Sequence, residues 1–461
     1  MISRLATTIL LSLTLPGIAQ SLDIQKVTSP GGITAWLVED HSIPFTALEI
    51  DFLGGAAIEN AAETGTAYFL SGLFDEGAGD YDASAYQRQM RDVAAEFSFD
   101  AYRESISVRA RFLTEYRDES IELLRLALQE PRFDPERVEF VRNQILAILA
   151  DRASAPNDIA SDTVNQLAFG DHVLGRPIEG NEESVRARTS DELEQFRQRA
   201  LTRDGAYIGV AGDISPGELG ILLDELLGGL PLDAPELPPA PDYRLGGGTT
   251  VIEFPTPQST VVFMQEGILR NDEDFLTAYV MNEILGSPSY SSRLQKEVRE
   301  ERGLTYGIAS FLGTHSTVGF VTGRFSTENQ SVREAVEVVA EIWRDLANDG
   351  VDEAELSRVK TYLMGAYPLR FDGNGSIASI LASMQRDDLP ITYVENRNTM
   401  IDQLTPDDVS RVAARILRPD DLHFVIVGQP EGLDPAVTDE SVAISGQSVF
   451  ERPEQIHDRP D

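Results

Sequence analysis

The chain alternates between short apolar strands and longer segments in which apolar residues recur every three or four positions. Residues 34–39 and 46–54 have the dense or alternating apolar pattern of strands, whereas residues 119–129 and 333–348 have the period of amphipathic helices. The strands come as hairpins separated by two or three long helices. This mixture predicts an α+β fold in which an antiparallel-rich sheet carries helices packed on one face.

The same succession of elements occurs twice along the chain. Three pairs of segments correspond at offsets of 211 to 216 residues, namely 66–68 with 277–279, 112–115 with 325–328, and 207–212 with 423–428. A repeat at nearly constant spacing indicates a duplicated unit of about two hundred residues. We therefore predict two homologous domains.

A proline-rich and glycine-rich stretch separates the two copies. Residues 231–248 contain five prolines before position 242 and three consecutive glycines at the end, which is typical of a linker. The predicted domains are then residues 21–230 and residues 249–437. Residues 438–461, rich in Ser, Asp, Glu and Pro, are predicted to form a flexible tail.

The first twenty residues have the pattern of a secretory signal peptide. Arg4 precedes an apolar run at residues 6–15, and Gly17 and Ala19 are small residues suitably spaced for cleavage. The run is too short to span a bilayer, although an uncleaved anchor is the alternative. We expect an exported protein, periplasmic in a Gram-negative source, with no membrane span after signal cleavage.

The net charge of the chain limits the classes of partner that it is expected to bind. The 461 residues include 38 Lys and Arg against 76 Asp and Glu, which gives a formal net charge of -38. Nucleic acid is not an expected partner, because binding a phosphate backbone requires a basic face. Acids lining a cavity would favour cationic peptides, but acids on outer helix faces mainly promote solubility, and we expect most of them there.

Residues 291–306 combine a charged helix with a tight turn. Leu294 and Val298 lie four apart on one face, and Gly303 is placed to end the helix in the left-handed conformation. Residues 305–312 then have the pattern of a strand. By residue type alone, Arg302 would cap helix carbonyls and Tyr306 would be a core residue with its hydroxyl at the surface.

The whole segment resembles the second-domain signature of the pitrilysin/insulinase family of zinc metallopeptidases, which includes mitochondrial processing peptidase. The shared features are Ser-Ser-Arg-Leu at 291–294, the charged helix, and Arg-Gly-Leu-Thr-Tyr at 302–306. The resemblance implies that the two domains form a clam-shell cavity. It also implies that Arg302 and Tyr306 are substrate-binding residues that hold a peptide backbone beside the zinc.

Residues 64–76 resemble the zinc helix of that family, but the metal-binding residues are replaced. Where active members carry His-x-x-Glu-His, this chain has Tyr68, Ser71 and Gly72, so both imidazoles and the general base are missing. No Glu occurs between Glu139 and Glu179, where the third ligand is expected. We therefore predict a degenerate site with no metal and no catalytic residue in this chain.

Other catalytic chemistries have little support. The chain has no Cys, and its five His are scattered, which excludes compact His/Cys zinc patterns. It has neither a Gly-x-Ser-x-Gly elbow nor the Lys-Ser/Thr that would follow a phosphate-binding loop. A carboxylate site for calcium or magnesium stays open.

The leading hypothesis is the non-catalytic, substrate-binding subunit of an exported heteromeric zinc peptidase. A zinc-bearing homologue with His-x-x-Glu-His would be its heterodimer partner and would carry the zinc, with a peptide as substrate. The alternatives are a structural or binding protein of the same fold without a proteolytic role, and an enzyme with an unrecognised site. A neighbouring gene for a zinc-bearing homologue would favour the hypothesis of a heteromeric zinc peptidase.

Overall fold

The computed structural model describes residues 22–288 and 292–433. These residues form thirteen strands and fourteen α-helices. The strands are β1 (Ile24–Thr28), β2 (Thr34–Glu39), β3 (Phe45–Leu53), β4 (Gly77–Ala78), β5 (Tyr81–Asp82), β6 (Glu96–Ala101), β7 (Ser105–Leu113), β8 (Ala206–Gly212), β9 (Gly248–Glu253), β10 (Gln258–Glu266), β11 (Ile308–Thr314), β12 (Gly319–Glu328) and β13 (His423–Gly428).

The helices lie mainly between the last hairpin of each half and its late strand. They are α1 (Thr66–Ser71), α2 (Ala83–Asp92), α3 (Arg117–Gln129), α4 (Pro135–Arg152), α5 (Pro156–Phe169), α6 (Glu182–Ala187), α7 (Ser190–Ala200), α8 (Pro216–Leu227), α9 (Phe275–Gly286), α10 (Val332–Asp349), α11 (Glu353–Ala366), α12 (Asn374–Arg386), α13 (Tyr393–Gln403) and α14 (Pro406–Ile416). A π-helix at Gln295–Glu301 follows α9.

Two large sheets of the same topology organise the two halves. The first has the order β1-β2-β8-β3-β7-β6 and the second the order β11-β12-β10-β13-β9. Read in the opposite direction and without β1, the first order matches the second strand for strand. In the first sheet, β8 pairs in parallel with β2 and antiparallel with β3. In the second sheet, β13 likewise pairs in parallel with β9 and antiparallel with β10. The α+β architecture of two related sheets is confirmed, and it is the arrangement expected of a duplicated sequence.

Each sheet buries one face against the helices of its own half. In the first half, Leu48, Ile50 and Phe52 of β3 point into a core shared with α1, α3, α7 and α8. In the second half, Val261 and Phe263 of β10 point into a core with α9, α10, α11 and α14. Successive side chains of a strand point to opposite faces of the sheet, so the other residues of these strands point away from these cores.

The opposite face of each sheet is partly covered by a helix from the other half. Helix α5 packs on the second sheet, where its Val164 contacts a cluster that includes Val262 and Val425. Helix α12 packs on the first sheet, with Leu381 in a cluster that includes Trp36 and Ala211. Burial on both faces explains why the late strands β8 and β13 have nearly continuous apolar runs.

Several further expectations fall on particular segments. The predicted linker, residues 231–248, has no helix or strand until β9 begins at its last residue, Gly248. The predicted signal peptide and the predicted tail lie outside the described residues. In the part of the chain that the structure describes, none of the helices has the length and apolar character needed to cross a bilayer.

Candidate functional site

A cavity of about 1240 Å³ lies between the two halves and is lined by both. Its walls come from β3, β7 and the loop before β7 in the first half, from α5, and from α12, β10 and β12 in the second half. The crossed helices α5 and α12 therefore join the halves and also form cavity wall. A space of this size can hold a peptide segment, since drug-sized ligands occupy roughly 300–1,000 Å³.

The face of the first sheet that is turned toward the cavity is polar. Glu49 and Asp51 alternate with the apolar core residues of β3 and are only 7% and 4% exposed. Burial raises the pKa of Glu49, although Ser107 Oγ donates a hydrogen bond to its Oε1 at 2.8 Å. Arg386 of α12 donates to Asp51 Oδ2 at 2.6 Å, so this ion pair joins the two halves at the cavity wall.

The cavity walls carry charges of both signs in similar number. Eight carboxylates and six guanidinium groups line the cavity in the described residues. The cavity is therefore close to balanced, and most of the negative charge of the chain lies elsewhere. The expectation that acids mainly occupy outer surfaces agrees with this distribution.

Helix α1 holds the positions where the resembled family binds zinc. It is short, and its first turn is capped by the buried carboxylate of Glu59, which accepts from the backbone N–H of Gly65 at 2.9 Å and of Ala67 at 2.7 Å. Burial raises the pKa of Glu59 to about 8. Ser71 Oγ donates to the carbonyl oxygen of Tyr68 at 2.8 Å, so the hydroxyl serves the helix backbone.

These residues do not fit a zinc ion. Tyr68, Ser71 and Gly72 supply neither an imidazole nor a carboxylate, and zinc sites in proteins are built from such groups or thiolates. A Cβ atom at Gly72 would lie 3.1 Å from Cγ1 of Val141 on α4, so α4 leaves little room for a larger side chain there. In the described ranges 22–288 and 292–433, no group of three or more His, Cys, Asp or Glu side chains is placed to hold a metal.

Arg152 and three carboxylates form a cluster of ion pairs at the cavity wall, and two of its members, Arg152 and Glu179, lie close to Tyr68. Arg152, the last residue of α4, contacts Asp158 at 2.9 Å, Asp162 at 2.8 Å and Glu179 at 3.2 Å. Burial raises the pKa of the Tyr68 hydroxyl, and the charge of Glu179 raises it further. A fixed cation thus compensates the carboxylates on the wall next to the degenerate zinc helix.

Arg302 and Tyr306 lie at the predicted turn after the π-helix, but Tyr306 is placed differently from the expectation. Gly303 has a φ of 64°, as predicted for a residue that ends the helix. The strand β11 begins at Ile308, so Tyr306 precedes it, and its side chain is 90% exposed. The interpretation of Tyr306 as a buried strand residue is therefore wrong, because the turn extends further than the apolar pattern indicated.

Hydrogen bonds fix the turn that carries this exposed pair. Leu304 N–H donates to the Val298 carbonyl at 2.9 Å, and Thr305 Oγ1 donates to the Ser326 carbonyl of β12 at 2.7 Å. Arg302 makes one distant ion pair, 3.8 Å from Glu334 of α10. Neither Arg302 nor Tyr306 lines the cavity. The pair is presented to solvent on a rigid turn, and its predicted role in holding substrate stays a prediction.

Sequence reasoning missed the polar cavity wall. Its clearest trace in the sequence is the alternation of β3, in which Glu49 and Asp51 interrupt an otherwise apolar strand. Charged residues on one face of a central strand indicate that this face meets polar partners or a cavity as well as apolar side chains. The role of Arg152 had no comparable trace, because its partners come from α5 and the segment before α6.

Comparisons with known proteins agree with this geometry. Residues 35–182 match the family model described as insulinase (peptidase family M16), and residues 188–363 match the model described as peptidase M16 inactive domain. A structure of a peptidase M16 inactive domain from Pseudomonas fluorescens superposes with a TM-score of 0.84 at 24% identity, covering 90% of this chain and 100% of that one.

Curated relatives align over most of the chain. A protein named non-peptidase homolog YmxG from Helicobacter pylori is 23% identical over 84% of this chain and 90% of its own. An uncharacterized zinc protease from Mycobacterium leprae is 27% identical over 87% of this chain and 90% of its own. A probable mitochondrial-processing peptidase subunit beta from Schizosaccharomyces pombe is 25% identical over 89% of this chain and 92% of its own.

Proposed function

Since the chain belongs to the insulinase (peptidase M16) family and is a non-catalytic member of it, we propose that it is the substrate-positioning subunit of an exported heteromeric zinc peptidase. A zinc-bearing homologue would supply the metal and the general base. This chain would supply Arg302 and Tyr306. The peptide would lie between the two chains.

The observation that carries the proposal is the exposure of a rigidly held Arg/Tyr turn. Tyr306 is 90% exposed, although a large aromatic side chain usually gains from burial. The turn is nevertheless fixed by Gly303 and by hydrogen bonds from Leu304 and Thr305. A donor pair that lies on a hydrogen-bonded turn and faces solvent is placed to act on a group outside its own chain.

The chemistry of the pair suits a peptide backbone. An Arg guanidinium offers a rigid fork of donors, and a Tyr hydroxyl can donate to a carbonyl oxygen. Fixing a carbonyl beside a metal on a facing chain lowers the entropic part of the reaction barrier. The missing ligands at Tyr68, Ser71 and Gly72 are consistent with a division of labour between two chains.

Support for a heteromeric partner comes from the family. Members commonly pair with an active homologue, and one relative of this chain is named as a subunit. Export is proposed from the pattern of residues 1–20.

The test is steady-state peptide cleavage by the complex of this chain with its zinc-bearing homologue. Arg302→Ala and Tyr306→Phe should lower turnover by up to about a hundredfold, because misorientation of a reacting group has effects of that size. Matched controls are Arg358→Ala and Tyr362→Phe, which change exposed residues on α11. Thermal melts and gel filtration check that fold and assembly are intact.

Two results would contradict the proposal. Unchanged turnover in both the Arg302 and the Tyr306 variants would remove the substrate-positioning role and favour a scaffold protein of the same fold. Chelator-sensitive peptide cleavage by this chain alone would show that it has a catalytic site of its own.

A further inference from the structure

A second, smaller pocket opens beside the large cavity in the second half. Its volume is about 240 Å³, and it shares Arg270, Ser383 and Asp387 with the cavity wall. Helices α9, α12 and α13 surround it, together with a 3₁₀ segment at Tyr367–Phe371. The two spaces are therefore adjacent and share part of their lining.

The pocket occupies the place in the second half that corresponds to the zinc helix in the first. Tyr279 of α9 lines it, and Tyr279 is the repeat counterpart of Tyr68. Helix α9 follows β10 as α1 follows β3. The second half thus has a pocket beside the counterpart of the zinc helix, with its own chemistry.

Arg397 is the most unusual group in this pocket. The residue is only 5% exposed. Its guanidinium lies over the ring of Tyr367 at 4.3 Å and near the ring of Tyr279 at 5.7 Å. Its one hydrogen bond goes to Asn398 Oδ1 at 3.3 Å, and no carboxylate of the described residues comes within 4.0 Å of it. A buried guanidinium with so weak a polar partner is costly unless an anion completes its surroundings.

Two further guanidinium groups line the same pocket. Arg270 is neutralised by Asp387, with Nε 2.9 Å from Oδ2. Arg370 lies exposed in the 3₁₀ segment, and no ion pair is formed by it in the described part of the chain. Asp387 is the one carboxylate among the lining residues, although Glu283 of α9 is near Tyr279. The pocket therefore has an excess of positive charge in a chain whose net charge is -38.

The remaining walls are aromatic and apolar. Tyr279, Tyr367, Tyr393 and Phe275 contribute rings, and Leu389 adds an aliphatic side. Burial raises the pKa of Tyr279 and of Tyr367, and the Tyr279 hydroxyl also interacts with the carboxylate of Glu283. Rings beside guanidinium groups are suited to a ligand that has an apolar body and an anionic end.

We propose that this pocket binds the C-terminal residue of a peptide whose preceding residues lie in the cavity, with its carboxylate at Arg370 and Arg397 and an apolar side chain against the rings. The volume fits one terminal residue, because it is below the roughly 300–1,000 Å³ of pockets for drug-sized ligands. Arginine is the side chain best suited to a carboxylate, which its two parallel donors can bind. This inference rests on the proposed function in that it assumes peptides enter the cavity.

The test uses the full chain alone and a fluorescein-labelled pentapeptide that ends in phenylalanine, as the free acid and as the C-terminal amide. Fluorescence anisotropy should show that the acid binds roughly tenfold or more tightly, since charge-assisted hydrogen bonds are lost in the amide. Arg370→Met should reduce this preference, and Arg397→Met should abolish it. Arg358→Met on α11 is the matched control and should keep it.

Arg370 is exposed, so its variant should fold even if Arg397→Met does not. Equal binding of acid and amide, or no binding of either, would overturn the proposal, as would an unchanged preference in Arg370→Met. Inorganic phosphate that competes in an Arg397-dependent manner, without any preference for the acid, would identify a phosphate site instead. The activity of Arg302 and Tyr306 variants in the heteromeric complex is independent of all these results, so failure of the pocket leaves the proposed function standing.

Discussion

At the scale of single residues, the packing around Gly72 shows that this position is no longer suited to a metal ligand. A Cβ at this position meets Val141 of α4 at 3.1 Å, which is tighter than ordinary van der Waals contact. The helix α1 is kept in place without a metal by Glu59, whose carboxylate accepts from two N–H groups of its first turn. The helix that would carry the zinc ligands is therefore present, whereas the ligands themselves are missing.

Restoring the motif should therefore fail to restore the enzyme. We expect the triple variant Tyr68→His, Ser71→Glu, Gly72→His to bind zinc weakly and to cleave peptides far more slowly than active relatives. The third ligand is absent, the supporting contacts were not built for a metal, and the imidazole at position 72 must displace Val141. Metal analysis of the purified wild type, which should hold no stoichiometric zinc, is the control. Efficient turnover by the variant would show that another residue completes the site.

Gly303 provides a residue-scale test of the exposed turn. Its φ is 64° and nothing lies within 4 Å of an added Cβ, so the cost of Gly303→Ala is backbone strain alone. We expect a loss of about 1 kcal/mol in the free energy of unfolding. Gly307→Ala is the matched control, because that site is equally open and has no positive φ. Urea denaturation measures both. Equal stability of the two variants would contradict a left-handed conformation at Gly303.

At the scale of elements, the segment after α9 is a helix of a less common kind. Leu294 and Val298 are both fully buried, as their spacing predicted, but the helix is wound as a π-helix over Gln295–Glu301. Its end keeps the wider pattern, since the N–H of Arg302 donates to the carbonyl of Glu297, five residues back, at 3.2 Å. The amphipathic pattern predicted the buried face but not the π-helical winding.

The helix crossings depend on close backbone approach. At Gly209 of β8, a Cβ would lie 2.0 Å from the carbonyl oxygen of Ala378 and 2.8 Å from the amide nitrogen of Ala382, both in α12. Only glycine allows α12 to lie this close to the first sheet.

We expect Gly209→Ala to lower the free energy of unfolding by about 1–3 kcal/mol or more, because overpacking forces the helix away from the sheet. Gly217→Ala on α8 is the control, since nothing lies within 4 Å of its added Cβ. Urea denaturation of both variants is the measurement. A Gly209→Ala protein as stable as the wild type would mean that α12 packs more loosely than described.

At the scale of the whole molecule, the two halves are joined by more than the crossed helices. Glu104, in the loop before β7, accepts from Ser316 in the loop after β11, with the backbone N–H 2.9 Å from Oε2 and the hydroxyl 2.5 Å from Oε1. The neighbouring His315 is buried in the same junction. Burial, and to a lesser extent the charges of Arg103 and His172, lower the pKa of His315 to about 4.

This junction makes stability depend on pH. The Glu104 carboxylate lies 3.8 Å from Nδ1 of His315 and favours the protonated imidazole. The same carboxylate also accepts hydrogen bonds from Ser316, and the effect of burial on the pKa of His315 is larger than that of Glu104. Because the folded pKa lies below the ordinary value of 6.5, the contribution of neutral His315 is complete above pH 6.5 and is lost as the pH falls toward 4.

We expect the wild type to lose roughly 2–3 kcal/mol of stability through this group between pH 7 and pH 4.5. Urea denaturation at both values, compared with His315→Gln, separates this loss from the titration of the many carboxylates. The same pH dependence in both proteins would contradict a buried neutral histidine at the junction.

The sequence by itself determined the elements, the duplication and the loss of the zinc ligands. Apolar periodicity depends only on which residues must leave water, so it located β2, β3, α3 and α10 and predicted the α+β sheets. The replaced residues Tyr68, Ser71 and Gly72 were equally visible, because a metal site requires particular side chains at fixed spacing.

Only the tertiary structure decided where these elements meet. The crossing of α5 and α12 onto the opposite sheets and the aromatic surroundings of Arg397, which include Tyr279 and Tyr367, each depend on segments far apart in the chain. Local patterns carry no information on such contacts. The exposure of Tyr306 was decided in the same way, because its apolar ring suited a strand and only the packing of the turn against β12 turned it to solvent.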